Sequence, residues 1–274
     1  IHESFQRYKE AAEAFKQVIR INPENVEAHA RLGRNYAKIN LPEKALAELN
    51  IAVKINPNLA ETYYQLGSTY GELERHQEGL PPLRKAIQLK PDYIKAMYLL
   101  GKFNTFLKDY QEAIISLRKV NKFEPGFEET NFLLGKNLLE LKQYQEALPY
   151  LEKAVIEDPQ FSQAQYSLGL NLMKVGRNKE AIKPLQLAVT GNPNFTNAFK
   201  QLGEAYQTLE NYPEAIKAFE NAISIDPEFT SVHNNLGTIY TFQKKYFKAI
   251  NAFKEALRTD PKFENGFFNL GMIY

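Results

Sequence analysis

Cysteine is absent from these 274 residues, which excludes disulfide frameworks, thiolate zinc sites and cysteine nucleophiles together. Net charge is nearly absent as well. The 34 basic and 32 acidic residues leave +2, too little to draw in nucleic acid. No apolar run approaches the roughly 18 residues that a membrane-spanning helix needs, so membrane insertion within this segment is not expected. Ile1-His2-Glu3-Ser4 lacks the charged-then-apolar order of a signal peptide. Neither G-x-G-x-x-G nor G-x-x-x-x-G-K-[ST] occurs, so there is no phosphate-binding loop. The four histidines, His2, His29, His76 and His233, are at least 27 residues apart, which argues against a shared metal. Adjacent acids such as Glu128-Glu129 and Glu72/Glu74 read as helix-start or exposed-face carboxylates, favoured by the helix dipole, rather than as a catalytic pair. The expectation is a chain with no catalytic residues, no metal and no cofactor.

What is present is a period. Glycine stands at Gly33, Gly67, Gly101, Gly135, Gly169, Gly203, Gly237 and Gly271, always 34 residues apart, with leucine before each one. Proline follows the first seven at a fixed distance, from Pro57 to Pro261. A stripe of small residues runs from Ala45 through Gly79 and Ala113 to Ala249, and a bulky one runs Leu49, Leu83, Leu117, Leu151, Leu185, Phe219, Phe253. Within 26–59, apolar residues at helical spacing extend from Val26 to Ile39, break at Asn40-Leu41-Pro42, and resume from Ala45 to Ile55. Asn56-Pro57-Asn58 ends the second helix, since proline supplies no donor and biases its predecessor away from helix. Each repeat is therefore expected to be an antiparallel helix pair. A glycine inside a helix costs about 1 kcal/mol relative to alanine, so the glycines are expected to allow close approach to the small stripe of the second helix. Pro81-Pro82 and Pro149, deeper in their second helices than Pro213, are expected to loosen or bend them.

These residues, with tyrosine at Tyr36, Tyr70, Tyr206, Tyr240 and Tyr274, resemble the tetratricopeptide repeat over the whole chain. Where that family often has tryptophan, this chain has His29, Tyr63, Met97, Asn131, Gln165, Phe199, His233 and Phe267, so packing there must vary. The resemblance implies an all-α, right-handed superhelical solenoid. Phase counting gives seven whole repeats, 26–59, 60–93, 94–127, 128–161, 162–195, 196–229 and 230–263, in one solenoid over 1–274. Residues 1–25 read as the end of an earlier repeat and 264–274 as the start of a later one. Solenoids close their ends with polar caps, so the expectation is part of a longer chain.

In this family the first helix of each repeat lines the concave surface, where partners bind. Three residues before the glycine, successive repeats carry Tyr64, Tyr98, Phe132 and Tyr166, an aromatic ladder. One residue after it stand Arg34, Lys102 and Lys136, and Lys200 joins them from the ladder position. Rigid rings and carboxylate-pairing lysines point to a protein or peptide segment of acidic-aromatic character in the groove. Alanine at Tyr98 and Phe132 is expected to weaken capture without unfolding the array. Lys200, Asn235 and Asn269 match part of the carboxylate clamp of some family members, and Asn235 and Asn269 also resemble the start of the asparagine ladder in protein glycosyltransferase solenoids. The leading expectation is a non-catalytic interaction scaffold. Two others are a structural subunit joining a multi-protein assembly through its open ends, and the substrate-selecting arm of an enzyme whose catalytic domain lies outside this sequence.

Overall fold

The computed structural model describes residues 2–274, with side chains from Phe5 onward, so the side chain of His2 and Ile1 itself lie outside the described residues. The described residues form sixteen helices and no strand. They cluster into two compact units, one ending at Leu141 and the other beginning at Lys142. The first unit holds α1 (His2–Ile21), α2 (Val26–Lys38), α3 (Pro42–Ile55), α4 (Ala60–Glu72), α5 (His76–Leu89), α6 (Ile94–Phe106), α7 (Tyr110–Phe123) and α8 (Thr130–Glu140). The second holds α9 (Tyr144–Glu157), α10 (Ser162–Lys174), α11 (Asn178–Gly191), α12 (Thr196–Thr208), α13 (Tyr212–Ile225), α14 (Thr230–Phe242), α15 (Tyr246–Thr259) and α16 (Glu264–Ile273). The fold is an all-α repeat solenoid.

Two kinds of turn set the register. Between the helices of a pair, the seventh residue after the glycine takes a left-handed conformation in every repeat: Asn40, Glu74, Lys108, Lys142, Gly176, Glu210 and Lys244 all have positive φ near 60–80°. The following amide reaches back to the last turn, as in Leu41 N to Tyr36 O at 2.9 Å, which satisfies carbonyls that the helix end leaves free. Only one repeat uses glycine there, so the others hold a mildly strained residue in place through these bonds. Between repeats, Asn56 Oδ1 accepts from the Asn58 amide at 3.0 Å, and Asp158, Asn192, Asp226 and Asp260 do likewise, so Asx-Pro-x is a self-bonded turn.

The seam of each pair differs in one respect from the sequence expectation. A Cβ placed on Gly67 would lie 2.5 Å from Leu83 Cγ, and one on Gly101 would lie 2.6 Å from Leu117 Cγ. The carbonyls of Gly79 and Ala113 are further away, at 3.4 and 3.3 Å. The glycine thus makes room first for the bulky stripe and second for the backbone behind the small stripe. Gly203 and Gly237 accommodate the rings of Phe219 and Phe253 in the same way. The bulky residues are fully buried and form the centre of each core.

The expectation of loosened helices at proline is also revised. α5, α9 and α11 run 14 residues without interruption, the length of the proline-free α7 and α15. Pro81 and Pro149 each sit at the sixth helical residue, where each removes one backbone bond, to the carbonyl of Gln77 or Gln145, without ending its helix.

Within each unit every helix packs on its neighbour in sequence. First helices also touch across repeats: α2 on α4, α4 on α6 and α6 on α8 in one unit, and α10 on α12, α12 on α14 and α14 on α16 in the other. Among the described residues the second helices make no such contacts, so the first helices lie on the inner side of each unit's curve. No helix of the described residues is long and apolar enough to cross a membrane.

Candidate binding face

The aromatic ladder does not stand free. Tyr64 lies against Tyr93 with ring centroids 5.1 Å apart, Tyr98 against Phe127 at 5.5 Å, and Tyr166 against Phe195 at 4.7 Å. Each partner ring comes from the turn that ends the same repeat, so the ladder anchors the inter-repeat turns to the first helices. Tyr98 is 5% exposed and Phe132 6%, whereas Tyr64 and Tyr166 are half-buried. Burial of this depth makes Tyr98 and Phe132 packing residues first. Alanine there is therefore expected to cost stability as well as capture.

The electrostatics follow from the same packing. The buried Tyr93 hydroxyl donates to Glu61, and burial together with that bond pushes its pKa well above the ordinary tyrosine value. Burial also raises Tyr98, helped by the charges of Glu128 and Glu129, and raises Tyr64 beside Glu61. Lys102 places its ammonium 5.9 Å from the centre of the Tyr98 ring, a cation-π contact that leaves it half-buried.

Beside Tyr64 and Tyr93 a cleft of about 560 Å³ opens in the first unit, lined by first-helix residues Arg34, Glu61, Gln65, Ser68 and Glu72 and closed by turn residues including Phe127. Arg34, Lys38, Lys90 and Lys95 face Glu61, Glu72, Asp92 and Glu124 across it. The basic residues expected on this face do not dominate the cleft, where the signs balance. Glu61, Tyr93 and Phe127 were not among the sequence-derived site residues. The signal that could have found the two rings is a further 34-residue stripe, Tyr93, Phe127, Phe161, Phe195, Phe229, Phe263.

In the second unit the clamp-like residues are engaged with one another. Lys200 Nζ lies 3.4 Å from Glu204 Oε1, Asn235 Nδ2 donates to the same oxygen at 3.2 Å, and Asn269 Nδ2 donates to Asn234 Oδ1 at 2.8 Å. Lys200 and Asn235 thus both engage a carboxylate of the chain itself. Lys136 is half-buried on α8, and Tyr166, on α10, belongs to the second unit.

His29 and His233 are tied into the solenoid. His29 bonds Glu48 at 2.6 Å and the Pro23 carbonyl at 2.9 Å, and His233 bonds the Pro227 carbonyl at 2.8 Å. Gln165 makes the same bond to Pro159 O at 3.0 Å, which shows how polar residues occupy the position where tryptophan was expected. Among the described residues no three His, Asp or Glu side chains are placed to share a metal ion.

No curated protein matches this chain. Among solved structures, YrrB, described as a TPR protein with an unusual peptide-binding site, is 25% identical over 72% of this chain and 97% of its own, with a TM-score of 0.59. MamA is 30% identical over 60% of this chain and 95% of its own, at 0.57. The C-terminal part of a TPR repeat-containing protein from Cytophaga hutchinsonii reaches 0.70 over 88% of this chain and 99% of its own, and at 16% identity it shows the fold alone. Family models of the tetratricopeptide repeat match residues 4–68 and 138–205, 60–93 and 94–127, 196–229, and 230–263. With the repeats, the helix pairs and these matches in agreement, the chain belongs to the tetratricopeptide repeat family.

Proposed function

We propose that this protein-interaction scaffold is non-catalytic and captures an extended segment of a partner protein against the first-helix face of its first unit. The observation that carries the reading is the cleft beside Tyr64, where an exposed Arg34 and half-buried Ser68 and Gln65 offer side chains that the helix pair does not need for its seam. A balanced set of charges favours a segment with both signs over a purely acidic one, because like charges brought together at an interface cost affinity. Lys102 and Lys136 extend the same face, and the ladder rings Tyr98 and Phe132 hold it in shape. The peptide-binding neighbour YrrB supports the reading by similarity. In the second unit, Tyr166, Lys200, Asn235 and Asn269 form a secondary surface whose polar groups must exchange their present partners to engage a ligand.

The test is affinity capture with mass spectrometry, run in parallel on the wild type and on an Arg34→Glu/Lys95→Glu variant. One partner or a small set should be recovered by the wild type and reduced at least tenfold in the variant, which corresponds to about 1.4 kcal/mol. Equal recovery by a variant with unchanged thermal stability would overturn the assignment.

A further inference from the structure

In the second to fifth repeats a ladder ring stands 29 residues before the turn ring of its own repeat. Three of these pairs, Tyr64 with Tyr93, Tyr98 with Phe127 and Tyr166 with Phe195, are in ring contact. The last two whole repeats keep the turn ring alone, Phe229 and Phe263, with Lys200 and Asn234 at the ladder position. The first repeat keeps neither. Ala30 stands at its ladder position and Leu59 at its turn position.

The rung is left open. A recess of about 320 Å³ lies there between α2 and α4, with Ala30, Leu49, Leu59 and Ala60 as its apolar wall. Leu49 is buried and the other three are half-buried, so the wall is the edge of the core rather than a rim of exposed side chains. The recess continues the first-helix cleft, since Arg34, Glu61 and Gln65 line both. Most charges at its mouth are already engaged: Arg31 pairs with Glu27 at 2.5 Å along α2, and Glu61 accepts from Gln65 and from Tyr93. Arg34 differs. It is exposed, and among the described residues no carboxylate pairs with it.

We propose that this open rung is a socket for an aromatic side chain of the partner segment, with a carboxylate on the adjoining residue of that segment paired to Arg34. The socket rests on the reading of the first-helix face as a binding surface, and adds what that surface takes beside Ala30. The molecule itself shows the occupant: one repeat later the same rung holds Tyr64, half-buried against Tyr93, so a ring at this position needs no closed cavity. Room is sufficient, since an apolar cavity of roughly 150 Å³ already holds benzene. A ring gains a large apolar contact with few rotatable bonds, and an anchor seated in a pocket carries much of an interface's affinity. The guanidinium of Arg34 can meet a carboxylate with two parallel hydrogen bonds, which fixes the direction of the segment as it passes from the recess into the cleft.

The probe is N-acetyl-Asp-Phe-amide, titrated into the 274-residue protein and followed by amide chemical shifts. Saturable shifts are expected in α2, in the 56–59 turn and at the start of α4. Ala30→Tyr supplies the ring from the chain itself; it should melt no lower than the wild type and bind the probe at least tenfold more weakly. Ala30→Leu, which fills less of the recess, gives the same comparison if the tyrosine variant does not fold. N-acetyl-Asp-Leu-amide and the uncharged N-acetyl-Asn-Phe-amide should each bind the wild type at least threefold more weakly than the probe. Absence of saturable shifts in the wild type, or equal binding by the filled variants, would overturn the socket. Equal binding of the leucine probe would overturn its assignment to a ring, and equal binding of the asparagine probe the pairing with Arg34. Affinity capture separates the socket from the cleft: a partner lost by Arg34→Glu/Lys95→Glu but kept by Ala30→Tyr overturns the socket and leaves the cleft standing. Probe shifts that Ala30→Tyr abolishes uphold the socket even where the capture experiment overturns the cleft.

Discussion

The inner faces of the two units are built on the same repeat and end in different states. In the first unit Arg34 is exposed, Glu61 accepts from Tyr93 and from Gln65, Lys102 lies over Tyr98, and a cleft lined by Arg34 and Glu61 stays open. In the second, Glu204 draws both Lys200 and Asn235, and Asn269 closes on Asn234. The seams beneath are alike, with Leu117 against Gly101 in one unit and Leu185 against Gly169 in the other. The residues that make the helix pair are thus distinct from those that decide what the face can do. One unit can present an open surface and the other a self-paired one without any change to the framework.

The first way to break this comparison is to show that the seams differ. Leu117→Ala and Leu185→Ala remove fully buried side chains and should each lower unfolding free energy by about 2–5 kcal/mol, within roughly 1 kcal/mol of each other. Urea titration of both variants checks this. If one costs several times the other, the units do not share a framework.

The ladder sharpens the comparison next. Tyr98→Ala should cost roughly 3 kcal/mol and Tyr166→Ala clearly less, because the first ring is nearly enclosed against Phe127 and the second only half so. Here the sequence was only partly readable. Gly101, Leu117 and Pro125 recur at a strict spacing because the seam and the turn accept few residue types, so the helix pairs and their order follow from the pattern. Tyr98 was readable as an inner-face residue but not as a buried one. Its cover comes from Phe127, 29 residues away, and contact between those positions depends on how the turn folds back. Glu204 was hidden for another reason: a charge on a face reads as available until the residues opposite it are known, and Lys200 and Asn235 had been assigned to a ligand.

Tyr93→Phe probes how the cleft of the first unit is held. Losing the bond to Glu61 should cost about 1 kcal/mol at pH 7. The sign of the pH dependence follows from the raised Tyr93 pKa. The folded protein keeps this proton at pH values where the unfolded chain, with a tyrosine pKa near 10, has released it. The stabilisation is complete below about pH 10 and is lost as pH rises beyond it. The phenylalanine variant has no proton to hold, so its deficit should shrink above pH 10. Thermal melts between pH 8 and 11 check this, and a deficit that stays constant would mean that Tyr93 does not titrate as its burial requires.

The smallest change in stability tests the comparison most directly. Glu204→Ser places in the second unit the residue type that Ser68 supplies in the first, and removes the carboxylate that holds Lys200 and Asn235. Both members of the ion pair are partly exposed, so the pair is screened and its loss should change stability by less than about 1 kcal/mol. The face, however, should change character. With Glu204 gone, the Lys200 ammonium and the Asn235 amide are free to receive a carboxylate from outside, and a short acidic peptide that does not shift the wild-type amides of α12 and α14 should shift those of the variant saturably. Because the new contact is an exposed charge pair, the response should weaken as salt shortens the Debye length from about 10 Å at 0.1 M. A variant that melts like the wild type yet gains no carboxylate binding would mean that the self-pairing is not what closes the second face.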